Sequence, residues 1–170
     1  MTATQTMLRA QSPTSPYPKE TLLSELCAAE LLLLWSLRMF VAAHLDGQSN
    51  DNWRDGLMAS GVGCCAVPAF DTLFGIVATS AQRRIDVRCR HSQTLSGDEA
   101  RFLQLICLLQ HGHIFDARDV LSDWLPRAAV RAAILPAKAL AFALARRRLF
   151  VPQRSFPEYG AISHVSALVH

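Results

Sequence analysis

The chain has 170 residues, of which 51% are hydrophobic, 18% charged and 8% aromatic, and its net charge is +3. That is enough apolar material for one substantial core, and it excludes a wholly disordered chain, a collagen-like repeat and a disulfide-framed mini-protein. Charge is unevenly spread: residues 1–123 hold 10 Lys/Arg against 13 Asp/Glu, whereas residues 124–170 hold 7 against one, so the basic end is the expected meeting point for an acidic partner.

Residues 1–19 read as a tail, with Pro13, Pro16 and Pro18 spaced among Ser and Thr. Met1–Ala10 has neither a basic leader region nor an apolar one, so the expected compartment is the cytoplasm. From Thr21 to Leu45 apolar residues recur at three- and four-residue steps (Leu22, Leu26, Ala29, Leu33, Leu37), and the uniformly apolar Leu31–Trp35 predicts a helix buried on most sides. Asp46–Asn52 is a loop whose polar residues cap a second helical region, which reaches about Gln82 and which Gly61, Gly63 and Pro68 should divide. Small residues there, such as Ala59, Gly63 and Ala66, invite close approach of another helix. Leu26–Leu45 and Gly56–Ala81 approach membrane-span length, but internal charges in both favour buried helices of a bundle, and no span is expected.

Arg84–Arg90 alternates Ile85, Val87 and Cys89 with charged residues and so predicts a strand. Its partner would be Leu149–Val151 or a second copy of the chain. Ser96 followed by Glu99 is a capping-box signature opening a helix to His111, which Gly112 stops. That helix should be central, packed by Leu31–Trp35 and by Val120, Leu121 and Trp124 of a short helix over 116–125. Pro126 opens an alanine-rich helix to Leu149 that Pro136 should kink or divide. Residues 151–170, with Pro152 and Pro157, read as an extended tail. The resulting expectation is an all-α fold, a single helical bundle of five or six helices over residues 20–150 with one or two short strands.

Four constellations compete for a function. Arg127, Arg131 and Lys138 align within about 40° on a continuous helix, and Arg146, Arg147 and Arg148 extend the positive charge; such a row fits phosphates or a protein partner. Asp116, Asp119 and Asp123 form an acidic face just before it, which could pair with the basic row of another subunit. The order of helices also follows a winged helix-turn-helix domain, although Pro126–Leu149 lacks the Asn, Gln, Ser and Thr that help read base edges. Cys89-x-His91 and His111-x-His113, with Cys107, offer metal ligands at spacings unlike common zinc sites, so no metal is assigned. Cys64-Cys65 has only small and apolar sequence neighbours, which disfavour a reactive thiolate. No nucleophile elbow, phosphate loop or dinucleotide fingerprint occurs, so neither a cofactor nor a catalytic residue is assigned. The expectation is a non-enzymatic, self-associating helical interaction or regulatory protein of bacterial type, with a protein partner or homodimer, and the alternative is a winged-helix-like DNA-binding regulator.

Overall fold

In the computed structural model, which describes residues 17–18, 21–46 and 52–154, six α-helices account for the regular structure. They are α1 (Ala28–Asp46), α2 (Trp53–Ala59), α3 (Gly63–Ser80), α4 (Gly97–Gln110), α5 (Ile114–Ser122) and α6 (Arg127–Arg146), with a 3₁₀ turn at Leu23–Glu25 before the first. The all-α bundle expected from the periodicities is the fold. The tails expected at 1–19 and 151–170 lie mostly outside the described residues.

The central helix is α4. Its capping box is complete: the Ser96 hydroxyl accepts from the Glu99 N–H at 3.1 Å, and Glu99 accepts from the Ser96 N–H at 2.8 Å. Phe102, Leu103, Leu105 and Ile106 are fully buried, against α5 and α6 on one side and α1 on another. An aromatic cluster joins the other elements, running Phe40–Trp53–Phe70–Phe74–Phe102 with successive ring centroids 4.6–5.5 Å apart. Trp35 departs from expectation. At 43% exposure it faces out of α1 while Leu33 and Leu34 are buried, because a run of five apolar residues exceeds the arc one helix can turn inward.

α2 and α3 divide at Gly61, whose φ of 75° closes α2 in the left-handed region, and not at Pro68, which sits inside α3. Gly63 is held by space: a Cβ there would lie 2.9 Å from the Met58 Cα and closer still to the Met58 sulfur. Gly63→Ala therefore forces α2 and α3 apart and should cost about 1–3 kcal/mol in urea denaturation. α3 and α6 make the most extensive helix pair, over small residues including Ala66, Ala133, Ala137 and Ala141. Pro136 neither breaks nor divides α6. It removes one backbone hydrogen bond, but buried Ala133, Ile134, Ala137 and Leu140 anchor both halves of the helix.

The predicted strands are corrected by the structure. Arg84–Arg90 is extended but joins no sheet, and among the described residues the only bridge is the isolated antiparallel Leu22–Thr94 pair. Three backbone groups of the 84–90 segment are instead engaged by side chains at the start of α4: the Asp86 N–H donates to Asp98 at 2.7 Å, the Arg88 N–H to Glu99 at 3.1 Å, and the Ser96 hydroxyl to the Asp86 carbonyl. Ile85 and Val87 pack on the core, so one face is apolar and the other wet, which is what a two-residue period reports. Leu149–Val151 is likewise no strand; the Gln110 amide donates to Leu149 O and accepts from Val151 N, each at 2.9 Å.

Candidate interaction surface

The outer face of α6 carries the sequence's basic row. Arg127, Arg131, Lys138 and Arg146 are exposed. Among the described residues, no hydrogen bond or ion pair engages the side chains of Arg127, Arg131 or Lys138. Because the helix is unbroken, Arg131, Leu135, Lys138 and Phe142 fall within about 60° of one another over roughly 16 Å of axis. Leu135 is 70% exposed and Phe142 67%. The stripe is therefore mixed, with two large apolar side chains between cations. Sequence reading missed Leu135 and Phe142, although the azimuthal count that aligned the arginines also places them.

At the C-terminal end the basic run divides its work. Arg147 caps α6 and its Nε donates to the Gly61 carbonyl at 3.1 Å, tying the end of α6 to the turn between α2 and α3. Arg148 adopts φ 58°, the left-handed residue that ends the helix. Arg146 and Arg147 line a groove of about 530 Å³ together with Phe142, Cys64 and Cys65. Arg146 and Arg147 thus bring positive charge to a cysteine pair whose sequence neighbours offer none. The Cys65 thiol is nonetheless pushed up, chiefly by its hydrogen bond with Cys64, while the Arg146 charge acts the other way.

The acidic face separates. Asp116 lies 3.8 Å from His113 and, like Asp119, is exposed on α5. Asp123 is not part of an outward row: it pairs inward with Arg83 at 2.6 Å and with Arg101 at 3.3 Å. Asp98 anchors the same cluster, accepting both Arg83 nitrogens (2.7 and 2.9 Å), the Asp86 N–H and the Trp124 indole at 3.0 Å. Burial pushes the Asp98 carboxyl up, but the Arg83 guanidinium and these N–H donors outweigh it and hold the group below the usual carboxylate range.

Of the metal candidates, Cys107 and His111 meet at 3.8 Å between Sγ and Nδ1. Among the described residues no three His, Cys, Asp or Glu side chains converge, and His111 Nδ1 sits 2.8 Å from the Cys107 carbonyl of its own helix. A second buried cluster, Arg38 with Glu99, was not foreseen; its 61-residue separation leaves no local spacing to read. α3 and α6 are long and apolar enough to cross a membrane by length and composition. No family model, curated protein or solved structure matches the chain.

Proposed function

We propose that this chain is a small non-enzymatic interaction protein of regulatory type, acting in the cytosol, which docks an acidic amphipathic helix of a protein partner on the outer face of α6. The observation that carries the reading is the exposure of Leu135 and Phe142 on one stripe with Arg131 and Lys138. Burying each large apolar side chain contributes about 1.5–3 kcal/mol to association. The flanking cations orient an acidic partner and speed its encounter. A symmetric α6–α6 dimer would set the cations of one copy against those of the other, so a second copy suits this face only by offering Asp116 and Asp119 of α5.

Duplex DNA is the competing ligand for the same cations. Two bulky apolar side chains inside the stripe disfavour a phosphate track, where polar and cationic contacts dominate. Residues 149–151 form no strand, so no β-wing follows α6 there.

The test is a nuclease-treated pull-down at low salt, comparing the wild-type chain with Leu135→Asp/Phe142→Asp and with Arg131→Glu/Lys138→Glu. A stoichiometric protein partner should be lost with the first pair and weakened in a salt-dependent way by the second. Capture unaffected by either pair, or capture that disappears with nuclease alone, contradicts the proposal.

A further inference from the structure

A second concave surface lies away from the α6 stripe. It is a groove of about 450 Å³ between α1, the C-terminal half of α3 and the extended segment after it. Phe40, Phe74 and Val77 form its floor, all nearly buried, and the half-buried Ile85 and Val87 form one wall. Among the described residues, no hydroxyl, amide or carboxylate side chain lines it, and the only polar side chains are Arg83 and Arg84.

These two arginines differ. Arg83 is committed to Asp98 and Asp123. Arg84 is exposed, and among the described residues its guanidinium has no hydrogen-bond or ion-pair partner. Asp86 is the nearest acid along the chain, two residues on, and it is not among the lining residues. Among the described residues, the groove thus offers apolar walls and one free cation. α1 and α3 use their backbone groups within their own helices, so these two walls give an extended peptide no ladder to join. The volume lies within the range typical of small-molecule sites.

We propose that this groove binds a single-chain amphiphile with an anionic head, of which a medium-chain fatty acid is the simplest form. The acyl chain lies over Phe40, Phe74 and Val77, and the head group pairs with Arg84. This inference is independent of the α6 surface and stands or falls separately.

The experiment titrates decanoate, and decan-1-ol as its neutral counterpart, into the isotopically labelled chain and follows methyl resonances by NMR. Saturable shifts are expected at Val77, Ile85 and Val87, with decanol binding about fivefold more weakly, as suits one exposed ion pair. Arg84→Glu should remove the preference for decanoate. Ala78→Trp, an exposed lining position, should block both ligands while the thermal melt stays unchanged. Three outcomes overturn the proposal: no saturable binding, equal affinity for decanol, or decanoate binding that survives Ala78→Trp in a folded variant.

Discussion

Replacing Arg38 with Met is expected to destabilise the domain by about 3–5 kcal/mol, the cost of breaking a buried ion pair from one side. Arg38 and Glu99 side chains are 1% and 0% exposed, and their two contacts measure 2.7 and 3.0 Å. The guanidinium also donates to the carbonyls of Ser92 and Thr94, each at 2.7 Å, so one side chain of α1 fixes both α4 and the loop leading into it. Without it, Glu99 keeps only the N–H groups of Arg88 and Ser96 as partners, and two carbonyls lose a donor. The melting temperature should fall by about 10 °C, measured by circular dichroism. Arg38→Lys should recover only part of this, because an ammonium cannot reproduce the planar fork. Arg38→Met/Glu99→Leu should recover part as well, by removing the stranded charge while leaving loop backbone groups unsatisfied. A loss below about 1 kcal/mol for Arg38→Met would mean that the pair behaves like an exposed one.

Asp98→Asn should cost about 2 kcal/mol at neutral pH, since the hydrogen bonds lost or weakened are those to a charged acceptor. The pH dependence identifies the cause. The Asp98 carboxyl lies below its ordinary value in the folded chain, so the unfolded chain binds its proton first on acidification. Its contribution is complete above the unfolded value of about 3.9 and disappears as pH falls through the lower folded value. Glu30 behaves alike: burial raises its carboxyl, and Arg154, Tyr17 and the Cys27 N–H together bring it below normal. Urea midpoints measured from pH 7 down to pH 3 should therefore drop less steeply in Asp98→Asn than in the wild type. Parallel curves would remove Asp98 from the acid transition.

The helical architecture was legible because its signals are local. Ser96 and Glu99 lie three residues apart, Gly112 follows its helix directly, and apolar spacing marks the buried faces. The strand expectation at 84–90 failed for a physical reason: alternation reports one wet and one dry face, not the identity of the hydrogen-bond acceptor. Here the acceptors are the Asp98 and Glu99 carboxylates, whose position in the sequence shows only that they open a helix. Asp123 escaped in the same way, since an i, i+3, i+7 row shows a shared helix face but not the arginine that draws its last member inward. The candidate surface was half legible. The cations of α6 stood out by charge, whereas Leu135 and Phe142 were hidden in an alanine-rich run where apolar residues were expected to turn inward.

Glu30 places a condition on the order in which the domain can be completed. Its carboxylate is fully buried and is held by Tyr17 at 2.6 Å and by Arg154 at 2.9 and 3.0 Å. During synthesis the acid emerges 124 residues before the guanidinium that neutralises it. The chain between them is long, although the entropic cost of closing a loop rises only slowly with its length. Until then Glu30 lacks its guanidinium partner, so the start of α1 is completed only when the last described residue of the chain arrives. The domain is thus latched from its two ends, and a nascent chain halted before residue 154 should leave that end of the bundle open to solvent and to protease.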